Sequence, residues 1–245
     1  CSADVGSTSV VQNLAAALVQ QGKQVLLLDE HTGPRSICAL WKIAPAGSWA
    51  DVAASRLSLD SAVGLAACGV QVLPAVHGAH GGDAEVRALF QGQVAIIDAA
   101  LDDNGALSPL AAQADDVLVV LRPQPASITA AYACIKRLHY AHALQQSRIL
   151  VTNAGNAAEV QRVLANLTAA TGRFLALGAI PAGCVAADAS LPSAQQLHMS
   201  VVEAFPASSA AVSFSRMAND LLKWPWRARD SISASPSTAA ARQFG

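Results

Sequence analysis

The first residues that could carry chemistry stand close to the start of the chain. Gly6, Ser7, Thr8 and Ser9 lie directly before a segment with helical periodicity. A glycine permits a tight turn, and backbone N–H groups at a helix N-terminus can hold phosphate oxygens. The same residue types also make an ordinary helix N-cap, in which a hydroxyl oxygen accepts a backbone N–H. Taken alone, the segment favours the N-cap, and phosphate binding is the alternative.

Two acidic residues and an asparagine end apolar runs further along the chain. Asp29 follows the letters VLLL, Asp98 follows VAII and Asn153 follows ILVT. The carboxyl ends of parallel strands meet along one edge of a sheet, where open α/β sheets bind their ligands. If these runs are parallel strands of one sheet, we expect the acidic residues to converge at that edge.

The elements that must position these side chains form a repeating pattern. Short β-branched or leucine-rich runs alternate with helix-length segments, which is typical of βαβ units around a buried parallel sheet. We therefore predict an α/β fold with a mostly parallel sheet and helices on both faces. The predicted strands cover residues 24–28, 70–74, 93–98, 116–121, 147–152 and 174–180. The predicted helices cover residues 8–22, 48–55, 83–90, 125–140, 156–170 and 207–223, with smaller helical turns elsewhere.

The extent of the folded part follows from the same pattern. Residues 1–230 are predicted to form one α/β domain, a size that such domains commonly reach. Residues 231–245 are small, polar and aperiodic, and we predict a disordered tail there. No strand precedes the first loop, although a sheet of this kind has a central strand leading into it. We expect that strand either to lie outside residues 1–245 or to be lost from the fold.

Composition restricts the classes of function. Hydrophobic residues make up 53% of the chain, charged residues 13%, and the formal net charge is −1. This balance supports a large core and provides no overall field that would hold nucleic acid or an anionic membrane. Apolar runs are too short to span a membrane, no signal peptide precedes the first motif, and the five cysteines lack metal-ligand spacing. We therefore predict a cytoplasmic protein with buried free thiols.

Three other groups of polar residues were weighed as sites. His77 and His80 lie in a glycine-rich loop with only Asp83 as a nearby carboxylate, so a metal site is not predicted. Asp102 and Asp103 precede an Asn-Gly pair and are interpreted as an ordinary solvated turn. No GxSxG motif accompanies the serines and histidines, so a hydrolase triad is not indicated.

Several segments together resemble the deviant Walker A ATPases of the MinD/ParA family. The opening CSADVGSTSVVQNLAAALVQQGKQVLLLDE resembles the family's phosphate loop, first helix and following strand, and IIDAA resembles its Walker B segment. The most specific match is ADDVLVV followed by PQPASITAAY, while ILVTN and GAIP match two further family segments. The resemblance spans residues 4–222 and is strongest to the flagellar-number regulators FlhG and FleN. It implies a P-loop NTPase fold.

The resemblance also assigns roles to the polar residues. By alignment, Thr8, Asp29 and Asp98 are the magnesium ligands, and Asp98 is the catalytic residue if the protein is active. Asn153 falls where family members hydrogen-bond adenine. The positions that this alignment places against ATP or ADP are Gly6, Ser7, Thr8, Ser9, Asp29, Asn153 and Pro181.

The resemblance is weakest at the positions that handle phosphate. Ser2 and Ser7 stand where the family has two lysines, one that neutralises the transferred phosphoryl group and one that reaches across a dimer. Ala3 and Asp4 replace the paired glycines, which adds a Cβ to a tight turn and a negative charge beside the phosphates. His31 replaces a second, water-orienting aspartate. These changes predict weak or absent ATP hydrolysis.

Three hypotheses for the function follow from this resemblance. The preferred one is a degenerate MinD/ParA-like regulator that acts by binding protein partners, in the control of flagellar assembly or number. The second is an active ATPase that dimerises on ATP and binds the membrane, with Arg35 or Arg122 in place of a lysine. The third is an interaction scaffold that binds no nucleotide, in a cellulose-synthesis or partitioning system. A homodimer remains open because the cross-dimer lysine is replaced at Ser2.

The C-terminal helix has two interpretations. Phe214, Met217 and Leu221 fall on one helical face and fit the last helix of the core. MinD and FlhG members carry a membrane-targeting amphipathic helix at this end, and the basic aromatic segment Trp224–Arg229 could contact the inner face of the membrane. Core packing is preferred for the helix, because Pro225 interrupts it before that segment.

Overall fold

The computed structural model describes residues 5–75, 90 and 92–224, and its strands form two neighbouring sheets. All the strand pairs are parallel except β2 with β3, so the predicted α/β fold with a mostly parallel sheet is confirmed. The first sheet has the order β2-β3-β1-β4, from β1 (Val25–Asp29), β2 (Gly64–Leu65), β3 (Gln71–Pro74) and β4 (Val94–Asp98). The second has the order β5-β6-β7, from β5 (Leu118–Leu121), β6 (Gln146–Ala154) and β7 (Gly178–Ala186).

Helices cover both faces of these sheets. Four of them have 13 to 19 residues, and the short ones connect the strands of the first sheet or precede the last helix. The helices are α1 (Ser7–Gln20), α2 (Ile37–Trp41), α3 (Trp49–Ala53), α4 (Leu59–Ala62), α5 (Pro125–His142), α6 (Ala157–Leu175), α7 (Ser190–Gln196), α8 (Val201–Ala204) and α9 (Ser209–Leu221). Two short 3-10 helices lie at Gly33–Arg35 and Ala111–Gln113.

The two sheets share one hydrophobic cluster. Leu27 of β1 and Leu150 of β6 belong to it, together with Leu14 of α1 and Phe214 of α9. Side chains of successive strand residues point to opposite faces, so Leu26 and Leu28 pack in a second cluster with α3 and α4. A third cluster joins β5 and β6 to α5 and α6. Apolar contact on both faces explains why these strands are continuous hydrophobic runs.

Most predicted elements occur close to their predicted bounds. The exception is the boundary between α6 and β7. Residues 174–180 were predicted as a strand, but α6 continues to Leu175 and β7 begins at Gly178. The apolar period of α6 extends through Leu167 and Thr171 to Leu175, all of them buried, and this period outweighs the local strand signal. The helix predicted at 83–90 and the tail at 231–245 lie outside the described residues. The assignment of residues 1–230 to one domain stays a prediction.

Core packing of the C-terminal helix is confirmed. Phe214, Met217 and Leu221 of α9 are buried in the cluster that includes α1. The guanidinium carbon of Arg148 lies 3.7 Å from the ring centroid of Trp224, which gives this tryptophan a protein partner. The rest of the proposed membrane segment, from residue 225, lies outside the described residues. Within residues 5–75 and 92–224, the helices are too short or too polar to cross a bilayer.

The cysteines depart in part from the predicted buried free thiols. Cys38 and Cys68 are free and half-buried, and burial raises the pKa of each thiol to about 11. Cys184 is free but exposed, because it lies on the solvent side of β7. Cys134 is disulfide-bonded, so the prediction was wrong for this residue. Spacing along the sequence carried no signal for that pairing.

A buried asparagine fixes the start of α8 against α1, and we expect its removal to destabilise the fold. Asn13 Oδ1 accepts the N–H of Val201 at 2.6 Å, and its Nδ2 donates to the carbonyl of Ser9 at 2.7 Å. Asn13→Ala leaves a buried N–H unpaired, which should lower the free energy of unfolding by about 1–3 kcal/mol in urea titrations. The matched control is Asn219→Ala, because the exposed Asn219 side chain donates only to the carbonyl of Ser215 in its own helix. Equal losses in both variants would contradict this role.

Candidate functional site

The pairing of β1 with β4 brings two predicted site residues side by side. Asp29 and Asp98 are register partners at the last position of the ladder. One backbone hydrogen bond follows this pair, in which the N–H of Glu30 donates to the carbonyl of Asp98 at 3.2 Å. Both residues are 2% exposed, although each ends its strand. The two carboxylates therefore meet at the carboxyl edge of the sheet, as the sequence predicted.

The start of α1 lies against this edge. Gly6 precedes the helix with φ of 83° and ψ of 27°, a left-handed conformation that glycine adopts without strain. Ser7 and Thr8 are the first residues inside the helix, and neither side chain caps it. The interpretation as a hydroxyl N-cap is therefore wrong. The first-turn N–H groups have no side-chain acceptor among the described residues, an arrangement that suits an anion.

Asp98 is the most unusual carboxylate of the site. Its Oδ1 lies 3.7 Å from Nε2 of His31, while its Oδ2 is buried without a hydrogen-bond partner in the described part of the chain. Burial raises the pKa of Asp98, and the neighbouring Thr8 hydroxyl and His31 ring oppose that rise. A buried oxygen with no donor costs free energy unless it gains a proton, a cation or water.

Asp29 is held differently, although it was predicted as an equivalent ligand. Its Oδ1 accepts the N–H of His31 at 3.0 Å, and its Oδ2 accepts the N–H of Ile37 at 2.6 Å. Burial raises the pKa of Asp29, and these two backbone donors counteract it. Asp29 thus anchors the loop between β1 and α2. This pattern favours a role in holding the loop over direct ligation of a metal.

Glu30 is a member of the site that the sequence did not reveal. It is buried, and its Oε2 accepts the N–H of Ala100 at 2.9 Å. Its Oε1 accepts a short hydrogen bond from the hydroxyl of Ser108. Glu30 therefore joins the loop after β1 to the loop after β4. An acid just beyond a strand is typical of a solvated loop, so no sequence pattern distinguished it.

A polar cavity of about 580 Å³ opens in front of Thr8. Ser7, Thr8 and His31 line one side, and Arg35 and Arg137 bring two guanidinium groups to the wall. Neither arginine has an ion pair within the described residues. The lining contains one negatively charged side chain, that of Asp102. The cavity wall is therefore net positive, which favours an anionic ligand.

The sequence did not predict Arg137 as a site residue. The position of its side chain depends on a glycine in the adjoining loop. Arg137 lies on α5 and crosses the loop at Gly105, whose φ is 80°. A Cβ on that glycine would lie 2.6 Å from Cδ of Arg137. Arg122, the other arginine proposed as a lysine substitute, does not line this cavity, whereas Arg35 does.

Three other residues were predicted to contact nucleotide, and they lie at different places in the fold. Asn153 is exposed near the carboxyl end of β6 with φ of 54°, so it shares the edge at which the acids converge. Pro181 lies within β7, opposite Ile149, four residues before the level of Asn153. That separation is about 13 Å along a strand, so the structure does not bring Pro181 to the edge. Ser9 faces Asn13, whose Nδ2 lies 3.3 Å from the Ser9 hydroxyl.

The residues present fit a magnesium ion bound together with phosphate. Magnesium is commonly held by one or two protein oxygens while waters and substrate phosphates supply the rest. The Thr8 hydroxyl and the unpaired Oδ2 of Asp98 are two such oxygens. A cluster of three or more metal-binding His, Cys, Asp or Glu residues does not occur in the described part of the chain. The site therefore fits a metal brought by a nucleotide better than a permanent metal centre.

Comparison with known proteins supplies one curated relative and several solved folds. No protein-family model matches the chain. The antiactivator FleN of Pseudomonas aeruginosa is 33% identical over 233 residues, which cover 90% of this chain and 83% of FleN. The MinC:MinD cell division protein complex of Aquifex aeolicus aligns with a TM-score of 0.69 and 19% identity, covering 94% of this chain and 96% of that one. MinD complexed with Mg-ADP from Pyrococcus horikoshii gives a TM-score of 0.63 and 16% identity, covering 90% and 92%.

The pH dependence of stability should identify Asp98 as a buried carboxyl whose Oδ2 has no hydrogen-bond donor among the described residues. Because its folded pKa is raised above 3.8, the folded state binds more protons, and the free energy of unfolding falls as pH rises through that folded pKa. Asp98→Asn should therefore be more stable than the wild type at pH 7. The difference should vanish below pH 3.8, where the carboxyl is protonated in both states. Urea titrations between pH 3 and pH 8 measure this.

Asp188→Asn is the control of opposite sign. The Ser209 hydroxyl and the N–H groups of Ala210 and Ser190 hold the pKa of Asp188 well below its usual range. Its stabilisation is present above pH 3.8 and is lost as pH falls through the folded pKa. Asp188→Asn should therefore be less stable than the wild type at pH 7. A loss of stability at pH 7 in Asp98→Asn as well would contradict the unpaired state of Asp98.

Proposed function

The chain belongs to the FleN (FlhG) family of MinD/ParA-type P-loop proteins, and on that premise we propose that it is a degenerate regulator which binds nucleotide but turns it over weakly or not at all. It acts by binding protein partners, in the control of flagellar assembly or number. FleN is an antiactivator, and MinD forms a complex with MinC, so both relatives support a protein partner. The cytoplasm is the compartment that this role requires.

The single observation that carries this proposal is the state of the cavity in front of α1. Thr8 and Ser7 line this cavity, and the buried Asp98 lies behind it beside the Thr8 hydroxyl, while Ser7 stands where the resemblance aligns a family lysine. The parts that bind a phosphate through geometry are kept, and the lysine's point charge is absent. Such a site favours binding over catalysis, because phosphoryl transfer depends on neutralising charge that develops in the transition state.

The chain's own residues suggest how nucleotide would be held. The free N–H groups of the first turn of α1 bind phosphate oxygens, and Thr8 and Asp98 hold the accompanying magnesium. Magnesium, when bound, neutralises phosphate charge. Arg35 and Arg137 add positive charge to the lining of the cavity. Each lysine contact that is lost weakens binding by about 1.5–3 kcal/mol, which lowers affinity without removing the site.

Binding of nucleotide can reach a partner through the loop between β1 and α2. Asp29 holds this loop at His31 and Ile37, and the same loop presents His31 and Arg35 to the cavity. Occupancy of the cavity would therefore order an exposed segment that a partner protein can contact. A second copy of the chain is one such partner, although the lysine that reaches across the dimer in relatives is replaced at Ser2.

One observation favours the alternative of an active ATPase. Arg35 lines the same cavity as Thr8, so its guanidinium group is placed to take over part of the lysine's role. In this alternative the protein dimerises on ATP and contacts the inner face of the membrane. The charge of Arg35 is carried on a 3-10 helix rather than on the phosphate loop, and for this reason we rank catalysis second.

Calorimetry tests nucleotide binding directly. Mg-ADP titrated into the wild-type protein should bind, and Thr8→Ala should bind about tenfold more weakly because a magnesium-linked hydroxyl is lost. Thr129→Ala is the matched control, since its hydroxyl bonds only the carbonyl of Pro125 in the first turn of α5. Its affinity should equal that of the wild type. A wild-type protein that binds neither Mg-ADP nor Mg-ATP would overturn the proposal in favour of a nucleotide-free scaffold.

Phosphate-release assays test turnover. The wild type should release phosphate from Mg-ATP at the background rate, and Ser7→Lys should raise that rate by restoring a charge beside the phosphates. Adding Asp98→Ala to Ser7→Lys should abolish the gain. Wild-type turnover that disappears in both Asp98→Ala and Arg35→Ala would instead establish the active enzyme, with Arg35 in the role of the lysine.

A further inference from the structure

A histidine stands beside the buried carboxylate of the candidate site. His31 lines the polar cavity together with Thr8, and its Nε2 lies 3.7 Å from Oδ1 of Asp98. That separation is too long for a hydrogen bond. The imidazole nitrogen and the carboxylate oxygen are therefore neighbours that do not bond each other directly.

The distance between these two atoms is close to that of two atoms that bind one metal ion. Ligand atoms about 2.1 Å from an ion lie about 3.0 Å apart at an octahedral right angle and about 3.4 Å apart at a tetrahedral angle. The observed 3.7 Å exceeds these values by about 0.3–0.7 Å, which a small change in one side-chain torsion removes. His31 and Asp98 can therefore bind the same ion without a rearrangement of the backbone.

The backbone around His31 is held from two sides. The N–H of His31 donates to Oδ1 of Asp29 at 3.0 Å. The preceding residue, Glu30, is buried and accepts the N–H of Ala100 at 2.9 Å and the hydroxyl of Ser108. The segment that carries the imidazole is thus fixed both to the end of β1 and to the loop after β4. Contacts of this kind orient the side chains that bind a metal.

The carboxylate of Asp98 has the capacity to bind a cation. Asp98 is buried, and its Oδ2 has no hydrogen-bond donor in the part of the chain that the structure describes. The hydroxyl of Thr8 bonds the same carboxylate. A divalent cation would compensate the charge that burial leaves there. Thr8, Asp98 and His31 together bring a hydroxyl oxygen, a carboxylate oxygen and an imidazole nitrogen to one place.

The chemical type of these donors determines which ion they suit. Magnesium binds oxygen ligands and keeps several of its waters, so an imidazole nitrogen adds little to its affinity. First-row transition ions bind both imidazole and carboxylate, and their affinity rises from Mn²⁺ through Co²⁺ to Ni²⁺. A donor set that contains an imidazole therefore favours a transition ion over magnesium.

We propose that His31 is a ligand of the metal ion that accompanies the nucleotide, and that the site for this reason takes a divalent transition ion in preference to magnesium. The Nε2 of His31 and a carboxylate oxygen of Asp98 bind the ion, and the hydroxyl of Thr8 is the third protein ligand. This inference rests on the proposed function, because phosphate oxygens of the nucleotide complete the coordination.

The same residues should hold the ion only weakly in the absence of nucleotide. A cluster of three or more histidine, cysteine, aspartate or glutamate side chains that could bind a metal does not occur among residues 5–75, 90 and 92–224. Proteins bind transition ions tightly with three or four such ligands. We therefore expect the ion to bind together with ADP or ATP and to leave with it.

Calorimetry at pH 8 compares the ions, since imidazole binds metal in its neutral form. The wild type should bind Co-ADP about tenfold more tightly than Mg-ADP, and Co²⁺ alone should bind weakly. His31→Asn should lower the affinity for Co-ADP about tenfold and leave the affinity for Mg-ADP unchanged. The matched control is His198→Asn, because Nδ1 of the exposed His198 lies 2.9 Å from the carbonyl oxygen of Leu40, away from the cavity lining. Its affinities should equal those of the wild type.

Pulsed electron paramagnetic resonance with Mn-ADP detects the nitrogen ligand directly. The wild type should show spin-echo modulation from a coordinated nitrogen, and labelling all histidines with ¹⁵N should convert it to ¹⁵N modulation. The label distinguishes imidazole from the nitrogens of adenine. The histidine signal should be absent in His31→Asn and present in His198→Asn. The labelled wild type decides the question even if His31→Asn fails to fold.

The outcomes separate this inference from the proposed function. Equal affinities for Co-ADP and Mg-ADP, with no histidine nitrogen on Mn²⁺, would overturn the inference and leave the nucleotide site in place. A preference for Co-ADP that persists in His31→Asn would also overturn it, because another group would then be the ligand. Failure of ADP to bind with any of the three metals would overturn the proposed function and this inference with it.

Discussion

The parallel register between β1 and β4 is the constraint on which the rest of the site depends. It places Asp29 opposite Asp98 and brings both loops that follow these strands to one edge. Glu30 then ties those loops together through Ala100 and Ser108. A slip by one residue would separate Asp98 from Asp29 and would move the loop after β4 away from Glu30. The positions of the polar groups follow from this apolar pairing.

A phosphate site of this kind has two separable components. The fold supplies one of them, the helix N-terminus with its free N–H groups, at no cost in side-chain chemistry. Side chains supply the other, the point charges that stabilise a transition state. In this chain the first component is present at Gly6 and Ser7, and the family resemblance aligns Ser2 and Ser7 with the two lysines of the second. The proposed function depends on this separation, because a site that lacks the second component can still bind phosphate without turning it over.

Much of the fold and the core of the site could be predicted from the sequence. Strands that are apolar throughout and end in an acid place that acid at a sheet edge, and this was sufficient for Asp29 and Asp98. The roles within the site were less predictable, because they depend on loops. Asp29 is saturated by backbone donors that a strand pattern does not foresee, and Glu30 and Arg137 reach the site only through folded loops. The strand predicted at 174–180 begins later, at Gly178, so Pro181 lies inside β7 and not after it.

The most direct test of the central claim is a crystal structure of the protein with Mg-ADP. The account predicts the β-phosphate over the first-turn N–H groups of α1, with magnesium about 2.1 Å from the Thr8 hydroxyl oxygen and linked to Asp98. Adenine is expected at the carboxyl edge near Asn153. Phosphates bound at Arg35 and Arg137 but away from α1, with no metal near Thr8, would contradict the account.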